Sequence, residues 1–256
     1  MSNRDWATLD RAYHNEICAE YDAVVDEPRT LMNQVLFRPL FRVLNPQSES
    51  MLDLGCGTGQ MVRRVSKSVP LRKVVCVDHS EGMLQITKEK FIDKFESIST
   101  IRSDLNTFVQ DCEDRFDVIS CVGVLHHLRR QELHDFLVSV RHLLNPGGSF
   151  IVAEPIDNVT LRNPSKWLKI WNAKSAYSGR DYTIHPEDPD ESPLDEGELD
   201  RLVEEAGFEI EIVRSIVEVF PRSLPPSMID LLVTKLVSAF YRNSGFIRAI
   251  AAKSAN

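Results

Sequence analysis

The chain reads as an α/β protein: a largely parallel β-sheet with helices packed on both faces. Three observations predict this. Apolar runs alternate with helical patterns through its middle, the first run turns into its helix across three alternate glycines, and acids fall at the ends of successive runs. Parallel neighbours need long crossovers, and crossover helices cover both faces of the sheet.

Two helical patterns come first, about Asp5–Tyr21 and Thr30–Leu44, so residues 1–45 are expected to form a helical cap on a domain spanning 46–256. Strands are expected at Ser50–Leu54, Lys73–Val77, Ser97–Arg102, Phe116–Val122 and Ser149–Glu154. Helical patterns at Gly59–Ser68, Glu81–Lys94 and Gln131–Leu144 lie between them, the last stopped by "NPGG". From Pro155 to Pro193 the chain turns polar and proline-rich and carries Trp167, Trp171, Tyr177 and Tyr182. Too short for a domain, this stretch is read as a lid over the sheet edge. A helix at Asp195–Ala206 ends on Gly207, followed by the strand pattern "FEIEIVRSIVEVF", a helix over Ser227–Tyr241 and the apolar run "FIRAIAA".

The glycines lie in "MLDLGCGTGQ", Met51–Gln60. A strand that turns on glycines into a helix brings bare backbone close to a ligand. The pattern Asp53–x–Gly55–x–Gly57–x–Gly59 puts Gln60 where a dinucleotide fingerprint has its third glycine, and no G-K-[S/T] closes it as a P-loop. Asp78 follows at the end of the second strand, placed to accept from both hydroxyls of a ribose, and Asp104 at the end of the third is placed to accept from an exocyclic amine. Ser80 reads as a helix N-cap, with Met83 and Leu84 able to pack on a flat base. Open α/β sheets bind ligands at these carboxyl ends.

Composition narrows the classes. The net charge of −8 argues against a nucleic-acid substrate. Five cysteines without a C-x-x-C pair fit a reduced compartment, and the start of the chain has no apolar signal core, so a cytoplasmic protein is expected. No apolar run approaches a membrane span, and the seven histidines lack metal-ligand spacing. The segment "PPSMIDLLVTKLVSAFYRNSGF" reads as a homodimer interface or a covering helix, with a lipidic surface as the other reading.

The stretches "LDLGCGTG" (52–59), "VDHSEGML" (77–84), "SDL" (103–105), "FDVISCVGVLHHL" (116–128), "LLNPGGSFIVAEP" (143–155) and "LVEEAGFEI" (202–210) together resemble the class I S-adenosylmethionine-dependent methyltransferases. The similarity is to the type 11/12 group that includes ubiquinone and menaquinone C-methyltransferases. It implies a Rossmann-like three-layer sandwich with a seven-stranded sheet of order 3-2-1-4-5-7-6, the last strand antiparallel and supplied by "FIRAIAA". The implied cofactor is S-adenosylmethionine, which carries no phosphate and so needs no P-loop lysine. By the resemblance Asp53 and Gly55 lie near its methionine end, Gly57 and Gly59 shape the turn, and Cys56 and His79 are among the cofactor-binding residues. Asp78 holds the ribose hydroxyls, Met83, Asp104 and Leu105 border the adenine, and backbone near Cys121 and Val122 faces the ammonium group.

Transfer from a sulfonium needs chiefly alignment of the nucleophile, in line at roughly 3 Å. A general base adds about 10²–10⁴-fold where the acceptor is a hydroxyl or an acidic carbon. His126, His127 and Glu154 are the candidates; Tyr13, His14, Tyr21 and His185 are candidate linings of the acceptor pocket. The acceptor is expected to be a small molecule. A noncatalytic relative that binds the cofactor or a partner protein, and a nicotinamide-dependent oxidoreductase, remain the other classes.

Overall fold

The computed structural model describes residues 11, 12, 14, 15, 18, 19, 21, 22, 36–157, 194, 195, 197–216 and 247–255. Of the expected lid, Pro155–Asp157 are strand rather than lid, and the rest, with Trp167, Trp171, Tyr177, Tyr182 and His185, lies outside the described residues, as do the helix at Ser227–Tyr241 and Tyr13.

A short helix, α1 (Arg38–Leu40), leads through a 3₁₀ turn at Phe41–Val43 to strand β1 (Ser50–Leu54). Then come α2 (Gln60–Val65), β2 (Lys73–Asp78), α3 (Glu81–Phe91), β3 (Ser97–Arg102), α4 (Leu105–Asp111) and β4 (Phe116–Val122). The chain continues with α5 (Leu133–His142), β5 (Leu144–Asp157), a two-residue β6 (Leu194–Asp195), α6 (Glu198–Glu205), β7 (Phe208–Ile216) and β8 (Ile247–Ser254).

The strand order is β3-β2-β1-β4-β5-β8-β7, with β6 beside the end of β5. Strands β1 to β5 pair in parallel, and β8 runs antiparallel to both β5 and β7. This is the expected seven-stranded order, with β6 taking one extra number. The "FIRAIAA" run is β8, inserted between β5 and β7.

Alternation along the strands divides the core into two layers. Leu52, Ile119 and Phe150 face one side with Leu133, Phe136 and Val140 of α5 and Leu199 and Val203 of α6. Met51, Val118 and Ile151 face the other, with Leu40, Met61 and Val65 of α1 and α2 and Leu84 and Phe91 of α3. Every one of these side chains is buried, so the sheet is covered on both faces as a parallel sheet requires.

Several local details differ from the sequence reading, among them the unexpected β6 and the extension of β5 to Asp157. Helix α4 was not among the expected elements; it starts where the Asp104 side chain accepts from the Thr107 N–H at 2.9 Å. Strand β5 begins before "NPGG". Phe116 pairs with Leu144 and Val118 with Ser149, so two residues of β4 advance against five of β5 and the turn loops out between them. Asn145 in that turn donates to Asp117 at 2.8 Å, while Asp117 also accepts from the Glu49 and Ser50 N–H groups.

Candidate cofactor and acceptor site

The carboxyl ends of β1, β2, β4 and β5 converge on one edge, where the connecting loops assemble the site. The β1 turn needs its glycines for two different reasons. Gly55, Gly57 and Gly59 have φ of 65°, 51° and 79°, a region that side chains disfavour. A Cβ on Gly55 would sit 2.2 Å from Val124 and one on Gly59 2.5 Å from Phe91, so these two let neighbouring chain pack closely. A Cβ on Gly57 would meet nothing nearer than Tyr21 Cε1 at 3.9 Å.

Asp78 ties this turn to the next one. Its Oδ2 accepts from the Gly57 N–H and its Oδ1 from the Ser80 N–H, both at 2.8 Å. His79 projects beside it, Nδ1 lying 3.7 Å from Asp78 Oδ1. Ser80 caps α3 as expected, its hydroxyl accepting from the Met83 N–H at 3.2 Å. Thr87 on α3 donates to the Gly57 carbonyl at 2.8 Å and so fixes the turn from the far side.

Asp53 is 2% exposed. It accepts from the Ser120 hydroxyl at 2.5 Å through Oδ1, while Oδ2 is buried with no hydrogen-bond partner among the described residues. Burial pushes its carboxyl up to about 7; the Ser120 hydrogen bond opposes that rise, and the nearby Asp78 charge adds to it.

Glu154, at the end of β5, is fully buried. Its Oε1 accepts from the Val124 and Leu125 N–H groups at 2.8 Å, and its Oε2 lies 2.8 Å from His126 Nδ1 and 3.4 Å from the His126 N–H. It therefore caps the 3₁₀ turn Leu125–His127 and fixes the imidazole of His126. Burial pushes the Glu154 carboxyl up to about 7, against the lowering effect of the Val124 and Leu125 amides. The centre of the His127 ring lies 4.0 Å from that of His126, the two planes tilted by 39°.

N-terminal residues complete the edge. The His14 ring lies 5.7 Å from that of His79 and 6.2 Å from that of His127, and Tyr21 and Cys18 pack on the buried Met83. Of the expected site residues, Asp104 is exposed and spends Oδ1 on the α4 cap, with Leu105 next to it. Cys56 is buried behind the glycine turn, Cys121 is buried in β4, and Val122 closes that strand. Sequence reasoning missed Ser120, Thr87, Thr58, Asn15 and Asp22. Ser120 had a signal, a lone hydroxyl inside the apolar run "FDVISCV"; the others had none.

A shallow groove lined by Arg42, Asn45, Gly147 and Lys253 opens at the opposite, amino-terminal edge and takes no part in this site. Among the described residues no three His, Cys, Asp or Glu side chains are grouped to hold a metal ion, and no helix is long and apolar enough to cross a membrane.

The fold and the carboxyl-edge site define a Rossmann-like domain of the class I methyltransferase type. Residues 51–148 match the family model described as a methyltransferase domain. Among curated proteins, a demethylmenaquinone methyltransferase of Leptospira interrogans is 28% identical over 164 residues, covering 62% of this chain and 63% of that protein. A malonyl-[acyl-carrier protein] O-methyltransferase of Priestia megaterium is 26% identical over 137 residues, covering 54% of this chain and 47% of that one. Among solved structures, the DhpI–SAH complex superposes with a TM-score of 0.59 at 17% identity, covering 96% of this chain and 95% of that one; at that identity it speaks for the fold. Residues 51–148 thus match a methyltransferase domain, and the fold is the Rossmann-like one of class I S-adenosylmethionine-dependent methyltransferases.

The residues present fit that cofactor. Asp53 Oδ2 is a buried acceptor awaiting a donor at the end of β1, and a cationic group would satisfy it. Each Asp78 oxygen takes one amide and keeps capacity for a second donor, as a ribose requires.

Proposed function

We propose that the protein transfers a methyl group from S-adenosylmethionine to a small-molecule acceptor. The observation that carries this reading is the convergence of Asp53, Asp78 and the Glu154–His126 pair on one sheet edge. The cofactor, when bound, supplies an electrophilic methyl group. Asp78 and the Gly57 turn hold its ribose, Asp53 meets its cationic end, and Met83, Asp104 and Leu105 border its base. Glu154 acts as a positioning residue: with Nδ1 of His126 engaged, Nε2 is the atom that takes the acceptor's proton. His127 and His14 line the acceptor side. In this reading residues 1–45 act as a cap over the edge.

The name of the demethylmenaquinone methyltransferase among the relatives favours a small acceptor, as does the net charge of −8. The protein, a methyl-labelled donor and fractionated cell metabolites test the reading together. Label should pass to a small molecule; label passing to RNA or protein would overturn the acceptor class, and binding of the donor without any transfer would leave a noncatalytic binder.

A further inference from the structure

The N-terminal residues do more than lie near the site. Asn15 Oδ1 accepts from the Ser80 hydroxyl at 2.7 Å and from the Gly82 N–H at 3.0 Å. Asp22 accepts through Oδ1 from the Thr58 hydroxyl at 2.5 Å and the Gln60 amide at 2.7 Å, and through Oδ2 from the Lys90 ammonium. Lys90 also donates to the Thr58 carbonyl at 3.0 Å. One attachment grips the loop after β2 and the other the loop after β1. These are the two loops that Asp78 joins from below through Gly57 and Ser80.

Between the attachments, Tyr21 lies over Gly57 and Met83, and His14 reaches toward His79 and His127. The chain accommodates this close approach at Gly82, where a Cβ would stand 2.8 Å from Cys18 Sγ and 3.4 Å from Asn15 Oδ1. Asp22 is only part-buried and its charge is balanced by Lys90, so the contact can open without stranding an ion in the core. Hydrogen bonds of this number and exposure suit a reversible fastening better than a permanent core contact.

We propose that Asn15 and Asp22 are positioning residues that fasten His14 and Tyr21 across the cofactor cleft, so that cofactor entry and product exit wait on the release of both attachments. The proposal rests on the cofactor reading above. Stopped-flow binding of S-adenosylhomocysteine to the full chain tests it, with wild type compared with Asn15→Ala and Asp22→Ala. Thr58→Val and Lys90→Met weaken the Asp22 attachment from the other side, which guards against a fault peculiar to Asp22→Ala. Association and dissociation should both quicken, by about tenfold for loss of a hydrogen bond to a charged group, while Kd moves much less. Faster dissociation with unchanged association would make Asp22 an ordinary ligand contact and overturn the proposal, as would unchanged rates in all four variants. If wild type binds no S-adenosylhomocysteine, the cofactor reading fails first, and that result is visible before any variant is compared.

Discussion

Replacing Asp53 with asparagine tests the site at its most buried charge. The carboxyl is 2% exposed, one oxygen bonds Ser120 and the other has no partner among the described residues. The groups facing it are the Ser120 hydroxyl, the Val62 amide, the Arg64 guanidinium and the Asp78 carboxylate. Burial raises the carboxyl from 3.8 to about 7. The folded protein thus holds this proton more tightly than the unfolded chain does. The stabilisation is fully present below pH 4 and is lost as pH rises toward 7. Each pH unit inside that window is worth about 1.4 kcal/mol, so the whole rise amounts to about 4 kcal/mol. Asparagine has no proton to lose. In urea unfolding of the ligand-free protein, Asp53→Asn should therefore gain on wild type by about 3 kcal/mol between pH 5 and pH 8. Cofactor affinity should move the opposite way: wild type binds more tightly as pH rises through 7 and the ionised carboxylate meets a cation, whereas the variant binds weakly throughout. Parallel stability curves for the two proteins would show that Asp53 is ionised across the range, and the argument would be wrong.

The remaining predictions concern neighbouring groups. Asp78→Ala should weaken S-adenosylhomocysteine by more than about 1 kcal/mol in calorimetry, because it removes a charged acceptor; unchanged affinity would remove the ribose assignment. Gly59→Ala should cost about 1–3 kcal/mol of stability, since its Cβ would fall 2.5 Å from Phe91. Gly57→Val, whose Cβ would meet only Tyr21 at 3.9 Å, should instead abolish cofactor binding while keeping most of the fold, and normal binding by this variant would reduce the turn to a connector. Glu154→Gln can still accept from the Val124 and Leu125 amides, but its amide nitrogen would donate to His126 Nδ1 and move the imidazole proton to Nε2. Turnover should fall by about 10²-fold with the acidic limb of the pH–rate profile altered, and an unchanged profile would exclude His126 as the base.

Much of the fold was legible because its causes are local. Strands β1, β3 and β4 fall at the residues their apolar runs mark, and the Ser80 cap and the glycine turn lie where their chemistry requires. The acids at consecutive strand ends pointed to a ligand-binding edge before any contact was known. Helix α4 was not legible, because "LNTFVQD" has too few apolar repeats to stand out and depends on Asp104 as its cap.

What the sequence by itself determined was the alternation, the turn and the order of the motifs, all set by side-chain period and backbone freedom within a few residues. Only the tertiary structure decided how each charged group is used. It placed Ser120 against Asp53, gave Glu154 three backbone donors and the ring of His126, and brought Asn15 and Asp22 onto loops 36 to 68 residues away. The physical reason is that burial and hydrogen-bond partners set a carboxylate's protonation and role, and both are supplied by parts of the chain remote in sequence.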